Sequence, residues 1–391
     1  HVAHRLQRFC VLCAVCCVPV TGCALLGTIK RPLVRAEAVE AGPLDDGYTD
    51  VAGVLHIHTT YSHDAHGTFE DVVRAANAQQ LDYVILTEHN TLQPLREGKQ
   101  GWHGAVLVLI GMEISTRGGH YLALNVTEDI DRHRLTTQQI IDEVTRQGGL
   151  GFIAHPYFKK GRWRDWTVTR FTGIEAYNVA HDTLDENKLR LALWTLTAPP
   201  EPFYLSIIDR PYDPLRTWDE LVARHGRVVG IGAADAHEFH LWGLKFAPYD
   251  IMFQMVRTHL LVPSTPLTPD LVYEALREGR AYLELPLVAD APVPASTSGG
   301  RGQRGLSFFA HAAQRVVGVM GDKIRFEPDL HLTAILPRPA LLTLFKDGQA
   351  IAMASETNTW MPPPRYSPGR NPLFRGGSLL GLSSASLAPV M

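Results

Sequence analysis

Short apolar runs separated by amphipathic stretches dominate residues 50–285. "VLHIH", "DYVILTEHN", "VLVLIGMEIS", "GGHYLAL", "GLGFIAHP" and "VVGIGAADAH" are built on compact apolar segments of four to eight residues. Such runs read as strands buried in a sheet core. The stretches between them have helical punctuation. In "TFEDVVRAANAQQ", Thr68 is a candidate N-cap with Asp71 three residues on, and "TTQQIIDEVTRQGG" pairs Thr136 with Gln139 before stopping at Gly148. "TPDLVYEALREGR" opens with Thr268 and Pro269 and ends at Gly279. Strands alternating with such helices predict parallel βαβ units.

The texture changes beyond about residue 286. "APVPASTSGGRGQRG" reads as a linker, so residues 287–305 join two units. Residues 306–355 hold short apolar stretches around a Lys-Asp-Gly turn, the pattern of a small β module. Residues 356–391 are rich in Pro, Gly and Ser and are expected to form a disordered tail.

The chemistry lies at the ends of the apolar runs. "VLHIHTTYSHDAHG" packs four histidines and an aspartate behind a strand, with His56 and His58 two apart and therefore on one strand face. Two neutral imidazole nitrogens held side by side suit a transition metal. The remaining runs end in His89, Glu113, His155 and the pair Asp235 and His237, while "GGHYLAL" opens with His120. Five of the six runs thus deliver such a side chain at the carboxyl end, where barrels and open α/β sheets place their sites. A random scatter of the 18 histidines would not produce that rule.

"HIHTTYSHD", "TEHN", "GMEIS", "AHP" and "ADAH", taken in order, resemble the successive motifs of the polymerase-and-histidinol-phosphatase (PHP) superfamily of metallohydrolases. The Tyr-Ser-His-Asp-x-x-Gly-Thr form of the first motif, "IEAYN" at 174–178 and the β-rich extension are most similar to its carbaryl-hydrolase-like CehA/McbA branch. The resemblance implies an α/β fold, a distorted (β/α)7 TIM-like barrel over residues 51–286 with a small C-terminal β-rich extension. It implies two or three divalent transition-metal ions, zinc, manganese or iron. His56, His58, Glu113 and Asp235 would hold one metal, with Glu113 bridging to a second held by His120 and His155. Asp64, His89 and His237 would hold a third, with His63 the alternative to Asp64. His89, His237 and Asp235 would also act in catalysis. The implied nucleophile is a hydroxide shared by two metals, and the substrate a small phosphoester or a carbamate, ester or amide.

Several side chains near the motifs have two readings. His66 and His181 read as polar loop residues or as proton donors, and Asn90 and Asn178 as groups that shape the site. Tyr157, Trp163, Trp166 and Trp242 would line an apolar pocket or belong to the core. The basic "KKGRWR" at 159–164 would meet an anionic substrate or be a solvated loop.

Composition narrows the setting. A formal charge of -3 over 391 residues gives no electrostatic footprint for nucleic acid. There is no Gly-x-Ser-x-Gly elbow and no phosphate-cradling glycine loop, so neither a serine nucleophile nor a nucleotide cofactor is expected. All five cysteines lie in the first 23 residues, so the catalytic body uses no disulfide. "FCVLCAVCCVPV" has the length of a signal-peptide core, and "VTGC" resembles a bacterial lipobox with Cys23 as the lipidated residue. The expectation is a signal peptide over 1–23, a tether over 24–50 and a lipid anchor in the cell envelope, at the outer membrane facing the periplasm. An uncleaved apolar anchor over residues 9–29 is the competing reading. So is a non-catalytic surface-binding lipoprotein stabilised by metals, although all nine ligand positions carry competent residues.

Overall fold

The structure, a computed structural model, describes residues 47–159, 161–180, 204–205, 207–208, 210–241, 244–263, 266–288, 306–312, 315–325, 329–360, 379–381 and 385–388. The expected signal peptide with Cys23, most of the tether, His181, Trp242 and most of the linker lie outside these residues.

The barrel is one mixed sheet. Its strands are β1 (Thr49–His58), β2 (Tyr83–His89), β3 (Gly101–His103), β4 (Val106–Thr116), β5 (Gly119–Leu124), β6 (Leu150–Ile153), β7 (Gly173–Asn178), β8 (Val229–Ala233), β9 (Ala236–His237), β12 (Arg257–Val262) and β13 (Ala281–Glu284). Their order is β13-β12-β1-β2-β4-β5-β6-β7-β8, with β3 on β4 and β9 on β1. The chain leaving β8 closes the ring: Ala234 N–H donates to Leu55 O at 3.1 Å, and His58 pairs with His237 across parallel β1 and β9. A small hairpin, β10 (Phe239–Leu241) with β11 (Leu244–Phe246), stands on the rim just past this closure.

The expectation of parallel units holds for β1, β2 and β4 and for β6, β7 and β8. It fails at β5, which runs antiparallel to both β4 and β6. The short link Arg117–Gly118 leaves no room for a crossover helix, so β4 and β5 form a hairpin.

Strand residues alternate between two cores. Val54, Val84, Leu86, Val108, Ile110 and Met112 pack outward in a cluster that includes α1 (Phe69–Ala78) and α3 (Thr137–Arg146). Leu55, Tyr83, Ile85, Leu107, Leu109, Leu122, Phe152 and Ile231 form the inner cluster with Val272, Tyr273 and Leu276. Both faces are therefore dry, which is why these strands read as unbroken apolar runs. Each fully buried aliphatic or aromatic side chain contributes roughly 1.5–3 kcal/mol.

The helix boundaries are where the sequence puts them. Thr68 Oγ1 accepts from Asp71 N–H at 3.1 Å while the Asp71 carboxylate accepts from Thr68 N–H at 3.2 Å. Thr136 and Gln139 form the same reciprocal box at the start of α3. The short α2 (Gln93–Arg96) follows β2, α4 (Tyr212–His225) precedes β8, and α5 (Tyr249–Met255) precedes β12. The last barrel helix, α6 (Pro269–Glu278), is capped by Thr268 and stops at Gly279 with φ 71°. No helix among the described residues is long and apolar enough to cross a membrane.

The C-terminal unit is a small β module. Strands β14 (Ser307–Ala312), β15 (Arg315–Val319), β17 (His331–Lys346) and β18 (Gln349–Trp360) pair in the order β15-β14-β17-β18. Asp347 and Gly348, both at positive φ, make the tight turn between β17 and β18. Strand β18 passes the expected boundary at residue 355. Strands β19 (Leu379–Gly381) and β20 (Ala385–Ala388) pair with β16 (Lys323–Arg325) and β17 inside the segment expected to be a tail. Leu261 of β12 belongs to the core of this module, with Tyr48 and Tyr282 packed against it.

At the junction, buried His259 of β12 is clamped between two carboxylates. Its Nδ1 lies 2.9 Å from Asp50 Oδ1 and its Nε2 3.1 Å from Glu284 Oε2, which ties β1, β12 and β13 together. Burial opposes the charge, but Asp50 and then Glu284 outweigh it and push the imidazole up to about 9 from 6.5. The folded value exceeds the unfolded one, so the contribution is full below about pH 6.5 and is lost as pH rises through about 9. The urea midpoint should therefore fall from pH 6.5 to 9, and H259N should flatten that decline. A variant that keeps the full slope would place the linked proton elsewhere.

Candidate metal centre

Every predicted ligand sits on one rim. His56 and His58 end β1, His89 ends β2, Glu113 lies beside it on β4, His155 follows β6, and Asp235 and His237 follow β8. His120 is near the amino end of β5, opposite Ser115. Because β5 is antiparallel, its amino end shares the rim with the carboxyl ends of its neighbours. The one run that opens with its histidine is thus explained by strand direction.

Glu113 is the centre of the arrangement, with its side chain 1% exposed. Its Oε1 lies 2.7 Å from His120 Nδ1 and 2.8 Å from His155 Nε2. Its Oε2 lies 3.3 Å from both His56 Nε2 and His58 Nε2, and 3.0 Å from His89 Nδ1. The two oxygens of one carboxylate therefore face two different sets of imidazoles. Asp235 Oδ1 adds a second anion, 3.4 Å from His56 Nε2 and 3.6 Å from His58 Nε2. Asp64 is the third, with Oδ2 3.1 Å from His89 Nε2 and Oδ1 3.5 Å from His237 Nε2. His63 is 80% exposed, its Nε2 3.9 Å from Asp64 Oδ2 and its ring 5.3 Å from that of His89, whereas the Asp64 carboxylate reaches the nitrogens of both His89 and His237.

Outer hydrogen bonds set which nitrogen of each ring faces inward. His56 Nδ1 pairs with Glu175 Oε1 at 2.5 Å, His58 Nδ1 with Ser62 Oγ at 3.1 Å, and His237 Nδ1 donates to Asp235 O at 2.9 Å. The inward Nε2 atoms of His56 and His58, Nδ1 of His89 and Oδ1 of Asp64 are buried and have no hydrogen-bond partner among the described residues. Ligand atoms of His56, His58 and Asp235 lie within 4.8 Å of one another, as do those of His56, Glu113 and His155, and those of His58, His89 and His237. Buried lone pairs converging in this way fit cations, and the nitrogen-rich, mixed imidazole and carboxylate set fits divalent transition metals.

The electrostatics agree. Burial opposes ionisation of Glu113, but His56 and the bonds from His120 and His155 hold it well below the usual carboxylate range. Asp235 is also depressed, with His56 overcoming burial. Burial and then the neighbouring His237 hold His58 well below 6.5, which keeps its inward nitrogen free of a proton. His89 goes the other way: its burial is outweighed by Asp64 and Glu113, which push it up to about 10. Carboxylates at this density demand positive charge, and protons and metal ions compete to supply it.

Backbone strain accompanies the geometry. His56, His155 and Asp235 have φ of 63°, 22° and 48°. His56 is the extra residue of a bulge, since the β1–β2 register slips between Leu55 and Ile57. The two histidines of the first motif therefore converge through a bulge and not by plain alternation. Such residues cost about 1–3 kcal/mol each and persist where the surroundings over-determine them.

The flanking residues sort themselves. Asn178 Nδ2 donates to Glu175 Oε2 at 2.7 Å, and Asn90 Oδ1 accepts from Ser115 N–H at 2.8 Å, so both shape the rim. His66 is in the loop after β1, its Nδ1 accepting from His240 N–H at 2.9 Å. Trp163 is 1% exposed and belongs to the core with partly buried Trp166, while Tyr157 bonds to Thr217. Sequence reasoning missed Glu175 and Glu88. Glu175 also accepts from His155 N–H at 2.6 Å, and Glu88 accepts from Thr59 Oγ1 and Ser62 Oγ, each at 2.6 Å. A lone carboxylate inside the apolar runs "GIEAYN" and "YVILTEH" was the available signal.

Comparison with known proteins follows the same lines. Residues 55–187 match the family model described as PHP domain. An uncharacterised protein of Methanocaldococcus jannaschii is 32% identical over 114 residues, a stretch covering 26% of this chain and 66% of that protein. Among solved structures, a two-domain protein of Bacteroides vulgatus, described as containing a predicted PHP-like metal-dependent phosphoesterase, is 15% identical with a TM-score of 0.42. The match covers 85% of this chain and 90% of that one. PsfC of Pseudomonas syringae is 14% identical with a TM-score of 0.40, over 60% and 91% of the two chains. Residues 55–187 thus match the PHP domain, and the ligand-type side chains of that stretch share one rim with Asp235 and His237.

Proposed function

We propose that the protein hydrolyses a small phosphoester with two or three divalent transition-metal ions. The observation that carries this is Glu113, whose two oxygens face separate imidazole sets. His56, His58 and Asp235 would hold one ion with Glu113, His120 and His155 a second, and Asp64, His89 and His237 a third. Bound there, zinc, manganese or iron would polarise the scissile group and lower the pKa of water towards neutrality.

The protein's own contribution is orientation and access. Glu175, Ser62 and the Asp235 carbonyl fix the ring tautomers, and Asn178 holds Glu175. Asp64 and His120 are 41% and 26% exposed, so the cluster opens to solvent along that edge. A purely structural site is closed by its ligands, which speaks against the non-catalytic reading. We assign His89, His237 and Asp235, which adjoin this edge, to the reacting group as well as to the metals.

A carbamate, ester or amide substrate is the second reading. Phe239, 43% exposed, has its ring parallel to that of His237 at 5.9 Å, and this apolar surface would cover an aryl leaving group. It favours placement near the carbaryl-hydrolase-like branch. We further propose lipid anchoring through Cys23 in the outer membrane, supported by "VTGC".

Elemental analysis after reconstitution with zinc, manganese and iron should find two or three ions per chain, and fewer than one would exclude a multinuclear centre. Glu113→Gln should lower turnover of aryl phosphates by at least about a hundredfold, the order of one lost preorganised contact, with the fold intact by circular dichroism. Exposed Glu128, which pairs with Arg146, supplies the control, and Glu128→Gln should keep activity. Full metal content and turnover in the Glu113 variant would disprove the assignment. Glu175→Gln should weaken metal binding by about 10- to 100-fold in a chelator competition. Unchanged affinity would remove Glu175 from the support of His56.

A further inference from the structure

We infer that Arg117, Arg162 and Arg164 form a recognition site for a second, non-reacting anionic group of the substrate. The inference rests on the hydrolase reading above and adds the charge of the substrate's remote end.

Local packing builds the site. Trp163 is buried; its N–H donates to Pro156 O at 3.0 Å and its Nε1 to Asp165 O at 2.8 Å. This anchor leaves its neighbours Arg162 and Arg164 exposed. Arg164 N–H donates to Gly118 O at 2.6 Å, which lays the loop along the β4–β5 turn carrying exposed Arg117. The loop also touches the metal centre. A Cβ on Gly161 would stand 2.7 Å from His155 Cε1 and 3.0 Å from His120 Nδ1, so the backbone preceding Arg162 runs directly against two ligands.

The charges there are unspent. Arg96, Arg146, Arg170 and Arg277 elsewhere on the barrel pair with Asp129, Glu143, Asp142 and Glu274. Arg117, Arg162 and Arg164, with nearby Lys159, make no ion pair among the described residues. The guanidinium of Arg162 lies 5.8 Å from the Tyr157 ring centroid, a contact that leaves its N–H groups free to donate. The loop's carboxylate, Asp165, accepts from Thr167 N–H at 3.2 Å and from Thr167 Oγ1 at 2.6 Å. Unpaired guanidinium groups repel one another and offer forked donors to carboxylate or phosphate oxygens. The backbone carrying Arg162 runs beside His120, the half-open edge of the cluster, so a substrate bound at the metals would extend towards this loop.

Two non-hydrolysable probes test this on the metal-loaded protein by calorimetry: phenylphosphonate, and 4-carboxyphenylphosphonate with a second anion. The carboxylated probe should bind about tenfold tighter at low salt, the size of two exposed ion pairs. The preference should fall towards one in R162Q/R164Q, fall partway in R162Q alone, and shrink in about 1 M salt. Phenylphosphonate affinity itself should stay nearly constant, showing that the variants keep the fold and the metals. Equal binding of the two probes by the wild type, or a preference that survives in the double variant, would overturn the arginine site alone. Failure of both probes to bind would overturn the phosphoester reading with it.

Discussion

The structure depends on keeping one carboxylate ionised where water does not reach. Glu113 is almost fully buried, and an unpaired charge in that position costs several kcal/mol. Imidazoles from β1, β2, β5 and the end of β6 surround it, and none of these strands is adjacent to all the others. Only a sheet curled into a barrel brings their ends to one point, and only a reversed β5 brings His120 there. The topology and the charge are thus two statements of one constraint.

That constraint spreads outward. Histidines that turn Nε2 or Nδ1 inward must satisfy the opposite nitrogen, and the partners found are Glu175, Ser62 and a backbone carbonyl. Glu175 and Glu88 are themselves buried acids, so they recruit Asn178, Thr59, Ser62 and the His155 amide in turn. Three layers of polar groups result, each existing because the one inside it needs orientation. The positive φ values at His56, His155 and Asp235 belong to the same account: the rim backbone is bent to deliver ligands, and the apolar cores beneath over-determine it.

Much of this was legible in the sequence because ligand chemistry leaves a periodic mark. A His, Asp or Glu at the end of an apolar run is conspicuous, and capping residues such as Thr68, Thr136 and Thr268 announce helix starts. What escaped was whatever depends on strand direction or on contacts distant in sequence. The antiparallel course of β5 follows from a tight Arg117–Gly118 link inside an apolar stretch, and "GGHYLAL" alone does not reveal it. Glu175 meets His56 across 119 residues, and no local pattern encodes such a pair. Trp163 could be core or pocket until Tyr121 and Pro156 were placed beside it. The strands at 379–381 and 385–388 lie amid Gly and Ser, where propensity argues against them and pairing with β16 and β17 decides.

The barrel also keeps two electrostatic clusters apart. His259, Asp50 and Glu284 bind β1 to β12 and β13 where these strands meet the C-terminal module, while the ligand cluster occupies the opposite end of β1. Between them lie Val51, Ala52, Val54 and Leu55, whose side chains are apolar and buried. Strand β1 therefore carries the Asp50 clamp at one end and the candidate metal-holding His56 and His58 at the other. Apolar side chains thus separate the two clusters along β1. The rim can carry strain at His56, His155 and Asp235 because packed apolar residues beneath it hold the backbone in place.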